Sequence, residues 1–161
     1  MTAQERIERL ERSVNQLILE IERLPADVLY RPPSEGEWPV MSTLAHLAEL
    51  LPYWAHQAAG IAARPGEPFG RTLDDPDRVG AVDEHGQDSL DVAVTRIRAS
   101  LEECVRVLRA LPAEAWSSTG QHHARGPMTI EQLVDEFLVN HAEEHAVQIQ
   151  ASVKSLAGAR G

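Results

Sequence analysis

The segment IERLERSVNQLILEIERLP, residues 7–25, decides the fold class of this chain. Its apolar side chains recur at steps of three and four residues, with Glu and Arg between them: Ile7, Leu10, Val14, Leu17, Ile21 and Leu24. On a helix this spacing forms one apolar stripe, with charged residues on the other faces. Pro25 ends the pattern, because proline cannot continue a helix. The segment therefore predicts a helix that packs one face against other helices.

The same pattern returns later in the chain, and the two segments end alike. The second occurrence carries Leu90, Val94, Ile97, Leu101, Cys104, Leu108 and Leu111. Ser89 precedes this stripe as a predicted N-cap, and Pro112 follows it as the stop signal. The runs LPADVL, residues 24–29, and LPAEAW, residues 111–116, form a weak internal repeat. The repeat indicates two helical hairpins.

Two further helices complete the predicted set. The second helix begins at Ser42 as its N-cap, and its stripe is Leu44, Leu47, Leu51, Trp54, Ala58 and Ile61. Pro52 lies inside it and predicts a kink or a break. The fourth helix begins at Thr129, which forms a predicted capping box with Gln132. Its stripe is Ile130, Val134, Phe137, His141, Glu144 or His145, and Gln148. Residues 158–161 are expected to fray.

A connector rich in Gly, Pro and Asp, from Arg64 to Asp88, separates the two hairpins. It is long enough to cross the length of a helix of about 20 residues, roughly 30 Å. The second and third helices can therefore run parallel. We predict a single all-α domain over residues 1–161, a four-helix bundle of up-down-down-up topology with a long crossover between helices two and three.

The composition excludes several classes of function. The net charge of −10, from 15 basic and 25 acidic residues, argues against nucleic-acid binding. Cys104 is the single cysteine, so an internal disulfide and a Cys-based zinc cluster are excluded. Its place on an apolar stripe predicts a buried small residue and not a nucleophile. No signal peptide is visible, and no apolar run approaches the ~20 residues of a membrane span. We expect a cytoplasmic protein that contacts neither nucleic acid nor membrane.

The chemistry of the sequence lies in its histidines. His141 and His145 are four residues apart on the inward stripe of the fourth helix, so their imidazoles share one face. His46 lies one turn into the second helix, beside its stripe. Three imidazoles with the remaining positions left to water are typical of catalytic zinc, and nickel, iron or cobalt accept the same ligands. The alternative is that the pair consists of hydrogen-bonded core or groove histidines, because buried imidazoles need partners.

The remaining histidines are weaker candidates for a site. His56 competes with His46 as a third ligand, but it lies off the face of His46 and beyond the proline. His85, His122 and His123 fall in predicted loops, where histidine is usually solvated. His122 and His123 could still line an entrance. Their loop and the crossover are the expected specificity elements, because long loops on a rigid bundle often carry function.

A second motif overlaps the histidine pair. The run H-x-x-E-H that ends at His145 matches the inverted zinc metalloprotease pattern. That protease family needs a further acidic ligand well downstream, and residues 146–161 contain no acidic residue, so we exclude it. Glu143 and Glu144 are either partners that fix a histidine tautomer or exposed helix charges. Glu49, one turn beyond the first histidine, has the same two interpretations.

Two runs, GEWPVMSTLAHLAEL from Gly36 and GPMTIEQLVDEFLVNHAEEHAVQI from Gly126, resemble the DinB-like superfamily, also called the YfiT-like metal-dependent hydrolases. The resemblance extends from the first helix to about Ser155. The residues that carry it are Glu37 and Trp38, the single His46, the His141 and His145 pair, and Gln148 with Ile149. It implies an up-down-down-up four-helix bundle and a metal site formed by His46, His141 and His145.

The same resemblance implies an activity and partners. Some relatives transfer low-molecular-weight thiols such as bacillithiol or use mycothiol in isomerisation, and members are often homodimers. We therefore expect a metal-dependent thiol S-transferase or hydrolase that acts on a small molecule. Its expected cofactor is a divalent metal ion, zinc or nickel, with a low-molecular-weight thiol as candidate cosubstrate. The alternative is a non-catalytic, stress-associated homodimer that binds a metal or a small molecule.

Overall fold

The computed structural model describes residues 1–160, without the side chains of residues 157, 159 and 160. Its helices are α1 (Ala3–Glu22), α2 (Ala26–Leu29), α3 (Val40–Ala63), α4 (Pro76–His85), α5 (Leu90–Arg109), α6 (Ile130–Leu133) and α7 (His141–Arg160). A π-helical segment, Val134–Asn140, joins α6 to α7, so residues 130–160 form one C-terminal helix. The strands are β1 (Pro68–Phe69), β2 (Thr119–His122) and β3 (Gly126–Thr129), and a 3₁₀ turn spans Ala113–Ser117. The predicted fraying of residues 158–161 stays a prediction, and its last residue, 161, lies outside the described chain.

Contacts between side chains define the directions of the outer helices. Arg6 Nε at the start of α1 lies 2.8 Å from Asp135 Oδ1. Near the end of α1, Glu20 Oε1 accepts a hydrogen bond from Gln150 Nε2 at 3.0 Å. Early residues of α1 thus meet early residues of the C-terminal helix, and late residues meet late ones. These two helices run parallel.

The same reasoning orients α5 against α1. Arg98 Nη2 lies 3.0 Å from Glu22 Oε1, and Arg109 Nη2 lies 3.2 Å from Glu11 Oε2. The start of α5 is therefore beside the end of α1, and the two helices are antiparallel.

The central helices α3 and α5 run in the same direction. Ala48 of α3 shares a surface groove with Thr95 of α5, and His56 Nε2, two turns later, lies 2.9 Å from Glu103 Oε1. The order of directions is up-down-down-up, and the predicted four-helix bundle is confirmed. No helix within residues 1–160 has both the length and the apolar character needed to cross a membrane.

The apolar stripes predicted for α1 and α5 form the core. In α1, Ile7, Leu10, Val14, Leu17 and Ile21 are buried, and in α5 the buried set includes Ile97, Leu101, Cys104 and Leu108. Ser89 caps α5 as predicted, its side chain accepting a hydrogen bond from the Val92 amide. The Thr129 and Gln132 capping box is also present. The helix-period pattern therefore gives the correct packing faces.

The second helix differs from its prediction in where it begins, and of the two outcomes predicted at Pro52, a kink or a break, the break is excluded. It begins at Val40 with Pro39 as the N-cap, so Ser42 is a buried residue of the first turn and not the cap. Proline preceding the first turn fixes a backbone angle suited to a helix start, and the apolar Val40 and Met41 are buried at once. Pro52 does not break the helix, because α3 is continuous on both sides of it.

The crossover carries more structure than its composition predicts. It contains α4, capped by the Asp75 side chain, and the short strand β1. β1 pairs in parallel with β2, and β2 pairs antiparallel with β3, which gives a sheet of order β1-β2-β3. Through this sheet the crossover is hydrogen-bonded to the loop before the C-terminal helix, so the two expected specificity elements lie side by side.

Candidate metal centre

The antiparallel packing of α3 against the C-terminal helix brings three histidines together. Ligand nitrogens of His46, His141 and His145 all lie within 4.8 Å of one another. The ring centroids are 5.7 Å apart for His46 and His141, 5.1 Å for His46 and His145, and 4.6 Å for His141 and His145. His46 is 3 % exposed, and the other two are half-buried. We call these three residues the histidine cluster.

Two nitrogens of the histidine cluster have no hydrogen-bond partner within the described residues. They are His46 Nδ1 and His145 Nε2, both buried. A buried polar atom without a partner costs on the order of 1–3 kcal/mol, so native structures rarely keep one unless another species satisfies it. A divalent ion accepts the lone pairs that these nitrogens offer. The donor set therefore fits a metal ion.

Gln148 sets the tautomer of His145. The Nδ1 atom of His145 lies 2.9 Å from Gln148 Oε1, and an amide oxygen can only accept, so Nδ1 carries the proton. The lone pair is then on Nε2, the buried atom that has no partner. A second residue that orients a histidine in this way is typical of metal sites.

The environment keeps the histidine cluster neutral. Burial, together with the charges of His145 and Arg78, lowers the pKa of His46 to about 3. Burial lowers the pKa of His141 to about 4, again with contributions from His145 and Arg78. Burial also lowers the pKa of His145, although the Gln148 hydrogen bond opposes the shift. All three are therefore unprotonated at neutral pH, which is the form that binds metal ions.

A pocket of about 670 Å³ opens beside the histidine cluster. The C-terminal helix contributes Glu136, Phe137, Asn140, His141 and Glu144, and α3 contributes His46, Leu50 and Trp54. The crossover contributes Arg71, Thr72, Leu73 and Arg78, and the loop before the C-terminal helix contributes His122, His123, Ala124 and Arg125. Both expected specificity elements thus line the pocket. The predictions named neither arginine of the crossover, because that segment has no periodic pattern to place its side chains.

An aromatic wall closes one side of this pocket. Trp54 and Phe137 stack with ring centroids 4.2 Å apart, and His122 lies 5.4 Å from Phe137. His122 Nδ1 accepts the backbone N–H groups of Ala124 and Arg125, both at 3.2 Å. His122 is buried on β2, so the prediction that it is solvated is wrong, and the missed strand is the cause.

The other histidines stay outside the histidine cluster. His56 is exposed and pairs with Glu103, so it does not compete with His46. His85 ends α4, half-buried, with Nδ1 2.9 Å from Asp88 Oδ2. His123 is exposed at the pocket edge.

Glu49 is held by an arginine instead of by a histidine. Both of its oxygens accept hydrogen bonds from Arg71, at 2.7 and 2.6 Å. The Arg71 side chain is 8 % exposed, and its guanidinium carbon lies 3.7 Å from the centre of the Tyr53 ring. We call Arg71, Glu49 and Tyr53 the arginine brace. It fastens the crossover to α3 within one turn of His46.

The two acidic residues next to the histidine pair have different surroundings. Glu143 Oε1 accepts a hydrogen bond from Arg9 Nε at 2.6 Å, so it joins two helices and does not contact the histidine cluster. Glu144 is exposed and lines the pocket.

Cys104 is buried in α5, and burial raises the pKa of its thiol to about 12, which agrees with its predicted structural role.

Two further features near the site, a π-helical segment and the contact of Trp38 with His46, were not predicted. The π-helical segment Val134–Asn140 ends immediately before His141. The apolar stripe predicted for the fourth helix assumed 3.6 residues per turn, and a π-helical segment departs from that period. Such segments are frequent at functional sites. Trp38, which precedes α3, packs edge-on against His46 with centroids 5.3 Å apart. In the sequence, Trp38 stood out only as part of the Glu37-Trp38 pair that contributes to the family resemblance.

Comparison with known proteins identifies the fold and the family. A family model described as the DinB superfamily matches residues 3–149. YfiT from Bacillus subtilis, described as a probable metal-dependent hydrolase with an unusual four-helix bundle topology, superposes with a TM-score of 0.75. The two chains are 16 % identical, over 96 % of this chain and 87 % of YfiT. No curated protein matches this sequence.

Two more solved structures share the fold. A mycothiol-dependent maleylpyruvate isomerase superposes with a TM-score of 0.72 at 15 % identity, over 92 % of this chain and 61 % of the isomerase. A structure described as a four-helix bundle protein gives a TM-score of 0.58 at 20 % identity, over 93 % of this chain and 99 % of that chain. At these identities the likeness concerns the fold.

Proposed function

Because the chain belongs to the DinB superfamily, we propose that it is a metal-dependent enzyme acting on a small molecule, either a thiol S-transferase or a hydrolase. His46, His141 and His145 would hold the divalent ion, with zinc or nickel as the expected metal. The observation that carries the proposal is the pair of buried nitrogens without partners, His46 Nδ1 and His145 Nε2.

The chain's own residues would prepare the site for such chemistry. Gln148 holds the proton of His145 on Nδ1, which leaves Nε2 free as a donor atom. Trp38 and the aromatic wall of Trp54 and Phe137 limit access of water to one side. When bound, a divalent ion supplies a Lewis acid that lowers the pKa of a water molecule or a thiol group. Glu144, whose carboxylate lines the pocket, would act as the proton acceptor.

The proposal includes a cosubstrate and an assembly. A low-molecular-weight thiol is the candidate cosubstrate, and a relative in the fold comparison is described as mycothiol-dependent. We further propose a homodimer in the cytoplasm, with no nucleic-acid or membrane partner. The net charge of −10 supports the exclusion of nucleic acid.

Metal analysis of protein purified without a His tag tests the proposal. We expect about one zinc or nickel ion per chain, as in other three-histidine sites. His46→Ala and His141→Ala should both lose the ion, whereas His56→Ala, which alters an exposed histidine outside the cluster, should retain it. A metal-free wild type, or cluster variants with unchanged metal affinity and melting temperature, would contradict the assignment.

A second candidate function is a non-catalytic protein that binds metal or a small molecule. It is favoured by the donor set itself, because three neutral imidazoles, those of His46, His141 and His145, would bind a divalent ion whether or not a reaction follows. The two functions differ in whether the bound metal has a coordination position that small ligands can occupy. If small thiols change the absorption spectrum of the cobalt-substituted protein, the enzyme is supported. A spectrum that no thiol changes indicates a closed site and supports the binding protein.

A further inference from the structure

Arg78 differs from the other two arginines that line the pocket. Arg71 is neutralised by Glu49 at 2.6 Å, and Arg125 forms an ion pair with Glu136. Arg78 has no ion pair with any carboxylate of residues 1–160. Its Nη1 donates a hydrogen bond to the backbone carbonyl of Leu73 at 2.7 Å, which fixes the guanidinium without neutralising it.

This unpaired charge lies in the same pocket as the histidine cluster. Arg78 lines the same pocket as His46 and His141, and it is half-buried. It is close enough to lower the pKa of all three cluster histidines. A half-buried cation without an ion pair, beside a metal-binding cluster, is available to an anionic ligand that enters the pocket.

The donor geometry favours a carboxylate as that partner. A guanidinium whose Nη1 already has one acceptor still offers a planar edge of two N–H donors, which matches the two oxygens of a carboxylate. Glu144 lines the same pocket, and its carboxylate would repel a phosphate dianion more strongly than a carboxylate monoanion.

We propose that Arg78 binds a carboxylate group of the small molecule on which the site acts, and so selects carboxylate-bearing substrates or thiols. The proposal deepens the proposed function and rests on it, because the ligand must reach the histidine cluster and Arg78 together. Arg78 is then a specificity-determining residue supplied by α4 of the crossover.

The test compares matched thiols on the cobalt-substituted protein. The probes are ω-mercaptocarboxylates of three chain lengths, from mercaptoacetate to 4-mercaptobutyrate, each paired with its neutral amide. Titration by the sulfur-to-cobalt absorption band measures the affinity of each probe in wild type, Arg78→Gln, Arg78→Lys and Arg12→Gln. Arg12 is an exposed residue of α1, remote from the pocket, and its variant serves as the control.

In the wild type and in Arg12→Gln, we expect the acid to bind about tenfold more tightly than its amide for at least one chain length, the effect of a charge-assisted hydrogen bond. In Arg78→Gln this preference should fall by about the same factor, and in Arg78→Lys it should fall partly. If Arg78→Gln does not fold, the Arg78→Lys result decides, because loss of the planar edge alone must weaken the preference.

Two results would overturn the inference. Acids and amides that bind the wild type equally would show that no carboxylate is recognised. A preference that persists in both Arg78 variants would place recognition elsewhere, such as on the metal itself. A cobalt-loaded wild type whose spectrum no thiol changes is a different failure, since it rejects the open metal site of the proposed function.

Discussion

Two polar clusters lie within one turn of each other on α3, and they differ in how their atoms are satisfied. In the arginine brace, the Arg71 guanidinium has both Glu49 oxygens and the face of Tyr53 as partners. In the histidine cluster, two buried nitrogens have no partner within the described chain. A buried group with complete partners holds structure together, whereas one with missing partners is prepared for a ligand. By this difference, the arginine brace supports the pocket and the histidine cluster is the place where a ligand would bind.

The largest expected effect comes from breaking the arginine brace. Glu49→Gln removes the two short ion-pair contacts of the buried Arg71 and leaves it only Asp75 Oδ1 at 3.5 Å, so we expect a loss of about 3 kcal/mol in the free energy of unfolding. Urea denaturation with and without metal measures this loss, which should be the same in both. Glu22→Gln removes the exposed pair with Arg98 and should cost less than about 1 kcal/mol. Equal losses in the two variants would mean that the brace is not a buried ion pair.

The next effect comes from the histidine cluster and should depend on metal. Saturating zinc, at about 100 times its dissociation constant, should stabilise the wild type by about 2.7 kcal/mol. His46→Leu should abolish this gain, and in metal-free protein it should leave the free energy of unfolding unchanged or higher, because it removes an unsatisfied buried nitrogen. Thermal unfolding with and without EDTA measures both values. A large loss of stability in metal-free His46→Leu would place His46 with the satisfied groups of the brace.

A smaller effect tests how the pocket wall is held. Gly70 has φ +94°, and a Cβ there would lie 2.9 Å from His122 Cδ2. Gly70→Ala should therefore cost about 2 kcal/mol, from backbone strain and displacement of His122. Gly66→Ala is the matched control, because Gly66 has φ +88° and open space around it. Unfolding measurements should give a greater loss at Gly70, and equal losses would show that the His122 contact does not matter.

The smallest effect for a single residue is the contribution of one cluster histidine to the pH dependence of the metal-free protein. Folding lowers the pKa values of His46, His141 and His145 below the value of about 6.5 in the unfolded chain, so the unfolded state binds more protons below that pH. Stability is therefore complete above pH 6.5 and falls as the pH drops below it. Between pH 7.5 and 5.5 we expect a loss of about 1 kcal/mol for each of His46 and His141. The lowered pKa of His145 adds a loss in the same direction.

His46→Leu should reduce this pH-dependent loss by one histidine's share, which urea denaturation at the two pH values measures. Metal affinity should fall over the same range, because protons compete for the same nitrogens. A stability that rises on acidification would contradict the lowered pKa values.

The bundle and the three histidines were predictable because they depend on helical periodicity. The stripes from Ile7 to Ile21 and from Ile97 to Leu108 follow a 3.6-residue period, and that period fixes which faces meet. The spacing of His141 and His145 places both on one face by the same rule. His46 was preferred to His56 on the same geometric ground, because His56 lies on another face of the helix and beyond Pro52, and the family resemblance agrees with that choice.

The rest of the site could not be predicted, because it depends on contacts between distant residues. β1 has two residues, and its pairing of Phe69 with His122 joins segments far apart in the sequence. Arg71 pairs with Glu49, and Arg78 has no ion pair within the described residues. Both facts follow from the path of the crossover, whose sequence carries no periodic pattern. The π-helical segment before His141 likewise has no signature in its residue types.

Anomalous diffraction from crystals of the zinc-loaded protein tests the central claim most directly. We predict a single anomalous peak enclosed by His46, His141 and His145, with Nε2 as the contacting atom of His145 because Gln148 holds its Nδ1 proton. A peak at His56 or at the His122 and His123 pair, or no peak under conditions that stabilise the protein, would contradict the assignment of the histidine cluster as the metal centre.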